Sequence, residues 1–346
     1  MLSLLWFILI LGAIVAVHEF GHFIFAKLSS VYVYEFSIGM GKKIFGRKRQ
    51  GGETEFCIRA IPLGGYVMIA GEDVEDAKIP KDRQMCNKNF LHRFLILFAG
   101  AFNNFVFAFL ILFISALIYG AISTTPYISE AKEGYPAYQE GIRDGDLLVS
   151  LDGKKISSWD QALVKLQTTN GKAVVFGVQR NNEVYEYEVT PIKEVSTDGT
   201  VTYVYGIATA KEKEYGFGSS VEYAFKKTGS LFGSMWDTLK YLFTGRVGVN
   251  QLSGPVGIYS IVDSQAKQGL EAVLYLVAYL SINVGIINLL PFPAFDGGRI
   301  LFLFIEKIFK KPVSKKTENI IHSIGFMLII ALLIYVTFND VIRLFG

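Results

Sequence analysis

The sequence predicts a polytopic α-helical membrane protein of about four transmembrane helices, with an inserted β-rich domain and a membrane-associated β-hairpin. Three observations carry that expectation: long apolar runs, basic residues gathered in particular connections, and one interior stretch with the texture of a soluble domain. The chain has 346 residues, 51% of them hydrophobic, and a formal charge of only +3. Its mean hydropathy is positive. So small a net charge gives no electrostatic bias toward nucleic acid. A soluble protein of this length would carry more charge and shorter apolar runs.

Residues 2–26, 94–119, 272–290 and 320–338 are each apolar and long enough to cross a bilayer core of roughly 30 Å at about 1.5 Å per residue. The first lacks a basic leading region and a small-x-small cleavage site, so it is expected to be a retained span. Lys42, Lys43, Arg47, Lys48, Arg49 and Arg59 lie between the first and second spans, and Arg299, Lys307, Lys310, Lys311, Lys315 and Lys316 follow the third. Positive charge marks the cytoplasmic side. Crossing parity then places both termini and residues 120–271 on the extracytoplasmic side of an inner (plasma) membrane.

Four parts follow: 1–124, an N-terminal membrane region; 125–193, a compact β-rich domain; 194–271, a connecting segment; and 272–346, a C-terminal membrane region. Within 125–193, residues 147–151, 174–179 and 184–189 read as strands, Asn181-Asn182 as a hairpin turn, and 161–167 as a short helix. Apolar residues at helical spacing between Gly216 and Thr244 predict an amphipathic helix, lying on the membrane or packed as an ordinary buried helix. Residues 31–36 and 55–59 have strand character, and Pro62 to Tyr66 reads as a tight turn. A β-hairpin dipping toward the bilayer is expected there, against protein or a wet cavity. Cys57 and Cys86 have no Cys-x-x-Cys spacing and read as reduced thiols without metal.

The sharpest chemical signal is His18-Glu19-Phe20-Gly21-His22. Histidines at i and i+4 share a helix face and can grip one zinc ion, while the intervening glutamate reaches a metal-bound water. Ionisable groups inside a span cost about 2.5–3.5 kcal/mol on insertion scales, so three within five residues point to function. A catalytic zinc needs a third protein ligand. His92 and His322 lack acidic or histidine company in their segments and read as interfacial side chains. Asp296 is better placed, in Asn288-Leu289-Leu290-Pro291-Phe292-Pro293-Ala294-Phe295-Asp296-Gly297-Gly298. There two prolines interrupt the helix and two glycines are expected to let the backbone turn, with the next helix starting near Arg299.

These motifs resemble the site-2 protease family of intramembrane zinc metalloproteases, in its bacterial RseP-like branch, over almost the whole chain. His-Glu-x-x-His, Gly100-x-x-x-Asn104 and Asn288-x-x-Pro291-x-Pro293-x-x-Asp296-Gly297 match the family's elements in the same order. Pro136-Ala137 and Gly141 to Leu148 resemble a PDZ signature, with room for one such module, and Ser253 to Ile258 resembles the segment before the family's third span. Ala101 and Phe295 stand where the family often has Pro and Leu. The resemblance implies Zn2+ held by His18, His22 and Asp296, Glu19 as catalytic base, and Asn288, Asn104, Pro291 and Pro293 as candidate substrate-contacting residues. It implies single-span transmembrane substrates such as anti-sigma factors or remnant signal peptides, met in the lipid bilayer. A zinc transporter and an inactive PDZ-bearing scaffold are the alternatives; neither accounts for Glu19. The sequence gives no oligomeric state.

Overall fold

A computed structural model describes residues 2–72, 75–195, 201–209, 212–249, 252–311 and 313–345. It divides into two compact units, one of residues 1–111 and 252–346, the other of 112–251.

The first unit opens with α1 (Leu2–Leu28), followed by β1 (Val33–Lys48), β2 (Glu55–Ile69) and α2 (Phe90–Tyr119). α2 begins four residues before the apolar run because Asn89 caps it, Oδ1 accepting from the His92 backbone N–H at 3.0 Å. β1 and β2 form a bent, bulged sheet. Residues 35–38 of β1 have partners on both flanks: Phe36 faces Val67 on one side and Phe56 on the other. Pro62 to Tyr66, expected as a turn, is continuous strand in β2. The bend there is made by Gly64 at φ 94°, a left-handed conformation that suits glycine.

The second unit holds β3 (Ala121–Ile122), β4 (Ile128–Ala131), α3 (Pro136–Glu140), β5 (Leu147–Leu151), β6 (Lys154–Lys155), α4 (Trp159–Gln167), β7 (Val174–Arg180) and β8 (Glu183–Val189). β9 (Ile192–Val195), β10 (Val201–Val204), β11 (Ile207–Thr209), β12 (Lys213–Glu214) and α5 (Phe217–Phe243) complete it. A four-stranded sheet runs β6-β5-β7-β8. Asn181 and Asn182 both take positive φ at its hairpin, 52° and 67°, as a type I′ turn requires. Ile128, Ile142, Leu148, Leu151, Phe176 and Val178 fill the core. Asp146, buried among them, is held bidentate by Arg180 at 2.6 and 2.7 Å. β11 returns to pair with β4 and β12 with β3, pairings beyond the 125–193 segment. α5 is tied to α4 by Lys227 on Asp160 at 2.8 Å.

Back in the first unit come α6 (Pro255–Gln268), α7 (Leu270–Leu289), α8 (Asp296–Phe309) and α9 (Lys315–Phe345). α9 outruns its apolar stretch at both ends, because Ser314 caps it through Thr317 N–H and its termini are polar. The buried Asp340 of α9 accepts from Gly257 N–H at 2.8 Å, meeting the positive end of α6. Among the described residues, four helices are long and apolar enough to cross a membrane: Ser3–Leu28, Phe90–Tyr119, Leu270–Leu289 and Lys316–Arg343.

Candidate metal centre

Helical repeat alone sets two of the site's side chains side by side. His18 and His22 are one turn apart on α1, and both are buried. Their rings meet edge to face with Nε2 atoms 3.2 Å apart. Oδ2 of Asp296, at the first residue of α8, lies 3.1 Å from His18 Nε2 and 3.3 Å from His22 Nε2. A tetrahedral zinc ion with ligands at about 2.0–2.1 Å separates them by about 3.3 Å. The three atoms therefore sit at the spacing of one face of a zinc tetrahedron.

Chemistry fits as well as spacing. His22 Nδ1 lies 2.8 Å from the carbonyl of Ile96 on α2. That carbonyl can only accept, so the proton is on Nδ1 and the Nε2 lone pair is free for a metal. The side-chain amide of Asn104, fully buried on α2, lies 3.3 Å from His18 Nδ1. Its oxygen and nitrogen are interchangeable by rotation, and Oδ1 facing Nδ1–H gives His18 the same ligating tautomer. Asn104, expected to touch substrate, is fully buried in this structure, with its amide against His18. Ser281 of α7 bonds the Asn104 carbonyl at 2.9 Å and fixes that turn of α2.

This approach of α1 to α2 needs glycine on both helices. A Cβ at Gly100 would lie 2.3 Å from His22 Nε2, and one at Gly21 would lie 2.3 Å from the Ala99 carbonyl oxygen. Neither position has room for a methyl group.

Glu19 sits beside the triad, next to the Val67 backbone of β2. Gly65 brings β2 this close: its Cβ position is 3.5 Å from Glu19 Cγ. Residues 65–69 pair with β1 on one flank and, among the described residues, with no strand on the other. The sheet is braced by Glu35, which accepts from Arg59 and from Tyr66 at 2.8 Å. Burial pushes the Glu35 carboxyl up, but these bonds outweigh it and hold the group below its ordinary value. A second cluster, Glu35, Glu55 and Cys57, is accounted for by Arg59 and by Lys43, which bonds Glu55 at 2.8 Å.

Asp296 arrives by an irregular path. α7 ends at Leu289 and α8 starts at Asp296, three residues before the expected Arg299. The glycines do not make the turn. The left-handed residue is Ala294, at φ 85°. Gly297 and Gly298 are already helical, and a Cβ on them would lie 2.2 Å from the Leu290 carbonyl oxygen and 2.5 Å from that of Phe292. They permit the first turn of α8 to nest against the loop. Arg299, one turn on, pairs with Glu72 just past β2.

Of the remaining expected residues, Asn288 lies half-buried in the last turn of α7, and Pro291 is exposed in the loop. Neither has a hydrogen bond to the triad among the described residues. Pro293 packs against Gly325 of α9, whose Cβ position is 2.4 Å from Pro293 Cβ. His92 is half-buried, and its Nδ1 lies 2.8 Å from Asn89 Oδ1. His322, expected at an interface, instead accepts from Ala294 N–H through Nδ1 at 3.0 Å. The sequence reading also missed Val67, Ser281 and Glu72, whose parts depend on long-range pairing.

A model of peptidase family M50 matches residues 6–332. The chain is 31% identical over 422 aligned positions to the zinc metalloprotease RasP of Shouchella clausii, covering 99% of this chain and 100% of that protein. It is 31% identical over 417 positions to the regulator of sigma-W protease RasP of Bacillus subtilis, with 98% of each covered. It is 36% identical over 336 positions to a Clostridium perfringens protein named as a zinc metalloprotease, with 97% of each covered. The Shouchella alignment exceeds the 346 residues of this chain, so that relative carries additional sequence; the Clostridium alignment does not.

Proposed function

We infer, from the premise that this chain belongs to peptidase family M50 and is a zinc metalloprotease, that it cuts single-span proteins within their transmembrane segments by means of His18, Glu19, His22 and Asp296. The observation that carries this reading is the convergence of ligand atoms from two buried histidines and the half-buried Asp296 beside Glu19, in a chain whose described residues include four apolar helices long enough to span a membrane.

Zinc, when bound by the two Nε2 atoms and the Asp296 carboxylate, supplies a Lewis acid for the scissile carbonyl and makes water a nucleophile near neutral pH. Glu19 takes the proton of the attacking water and returns it to the leaving amine. The Val67 backbone lies beside the Glu19 carboxylate. Asn104 and Ile96 hold the two imidazoles in their ligating tautomers. A substrate helix must unwind before its carbonyl is accessible, and its freed backbone then needs partners. The open flank of residues 65–69 offers them by strand addition next to Glu19. Asn288 supplies a hydrogen bond to the unwound strand or to the developing oxyanion, and Pro291 and Pro293 shape the wall carrying Asp296.

The sheet of β1 and β2 rests at the cytoplasmic face of the membrane, and the second unit lies on the extracytoplasmic side as a PDZ-like filter for already trimmed substrates. Its groove runs between α4 and β11, lined by Trp159, Leu163, Tyr205 and Ile207. The name of the Bacillus relative favours anti-sigma factors as substrates. Orientation is tested in intact cells lacking the native Cys57 and Cys86: Lys48→Cys should resist a membrane-impermeant thiol reagent and Asn182→Cys should react. The opposite labelling inverts the topology.

A transporter would pass zinc along a path of ligands. Reconstituted vesicles decide between the two. Cleavage of a single-span substrate within its apolar segment, with no zinc flux, is the expected result; flux without cleavage defeats the protease reading.

A further inference from the structure

We propose that His322 of α9 is a positioning residue of the metal centre, holding the strained turn that delivers Asp296. Its Nδ1 accepts the backbone N–H of Ala294 at 3.0 Å. Ala294 is two residues before Asp296 and takes φ 85°, a conformation that residues with a Cβ rarely adopt. Something outside the loop must hold it there. The loop's own bonds, Phe292 N–H to Leu290 O and Phe295 N–H to Phe292 O, leave the Ala294 N–H for His322. Three residues along α9, on the same helical face, Gly325 is buried and closes directly on Pro293. The neighbouring Phe326 and Met327 are exposed. Phe302 of α8 lies against the His322 ring, centroids 5.7 Å apart.

Among the described residues, α9 thus meets the loop through the His322–Ala294 hydrogen bond and the close approach of Gly325 to Pro293. Without the acceptor at 322, the Ala294 N–H loses its partner in a partly buried turn, and the backbone gains by leaving the left-handed region. Asp296 then samples positions off the zinc tetrahedron. His322 does this from outside the cluster of His18, His22 and Asp296.

The inference rests on Asp296 binding zinc, and the test separates the two claims. Purified, zinc-loaded variants are mixed with excess chelator, and zinc release is followed alongside kcat and KM. Outer partners of metal ligands are typically worth about 10–100-fold. His322→Leu is expected to release zinc about tenfold faster than wild type and to lower kcat about tenfold, with KM little changed. His322→Asn, whose Oδ1 can accept the same N–H, should recover most of both losses, whereas His322→Phe, which fills the space without an acceptor, should not. Ala294→Gly, which removes the cost of positive φ, should partly rescue His322→Leu. Should His322→Leu fail to fold, the Asn and Phe variants carry the same contrast. Wild-type release from His322→Leu, or recovery by Phe as full as by Asn, would reduce His322 to packing. Asp296→Ala is measured in parallel. If it releases zinc no faster than wild type, the ligand assignment fails; if it releases fast while His322→Leu does not, only the present inference fails.

Discussion

The histidines and Asp296 meet within 3.3 Å of one another, but they are delivered by opposite means. His18 and His22 ride a continuous 27-residue helix, and their rings are fixed by a second helix that approaches closely through Gly21 and Gly100. Asp296 follows a break between two helices, at the end of a turn with Ala294 in a left-handed conformation, held from outside by α9 and by the Glu72–Arg299 pair. The first half is rigid because regular backbone satisfies its own hydrogen bonds. The second depends on contacts that each can be lost singly. The proposed metal site would have a fixed pair of ligands and one whose position other elements can alter.

Breaking each half separately should therefore give different failures. Gly100→Ala places a methyl group 2.3 Å from His22 Nε2, so the fixed half is lost; neither stoichiometric zinc nor cleavage should remain. Gly12→Ala, whose added Cβ meets its nearest neighbour at an ordinary 3.5 Å, is the control on the same helix. Gly297→Ala strikes the other half, 2.2 Å from the Leu290 carbonyl oxygen. Cleavage should be lost while weak zinc binding through the two histidines persists. Metal analysis of the three purified variants checks this, and equal zinc loss in Gly100→Ala and Gly297→Ala would erase the distinction. A smaller effect is expected from Asn104→Leu, which leaves His18 Nδ1–H unpaired. Zinc affinity should fall about 10–100-fold, and undiminished affinity would show that Asn104 orients nothing.

The same contrast explains how much could be read from the chain. The four spans and the His18–His22 pair rest on local periodicity, which a sequence displays directly. Helix ends were blurred because Asn89 and Ser314 extend helices into polar sequence that hydropathy alone discards. Asp296 was legible as a carboxylate after a broken helix, but the turn was assigned to Gly297 and Gly298 when Ala294 makes it. A glycine signals either a turn or a close approach, and only tertiary contacts decide which. For a similar reason the burial of Asn104 beside His18 is not legible, since nothing local distinguishes a buried amide facing an imidazole from one facing substrate. His322 and Val67 reach the site from distant elements and leave no pattern.

We propose that Glu19 serves turnover and not metal binding, because His18, His22 and Asp296 would already supply three ligands. Glu19→Gln keeps the side chain's size but cannot accept a proton at neutral pH. General-base catalysis is worth about 10²–10⁴ in rate, roughly 3–5 kcal/mol of barrier. The direct measurement pairs zinc content with the cleavage rate of a single-span substrate in detergent, for wild type and Glu19→Gln. The account predicts one zinc per chain in both and a rate lower by about 10²–10⁴ in the variant. A Glu19→Gln protein that kept its zinc and cut at the wild-type rate would contradict it.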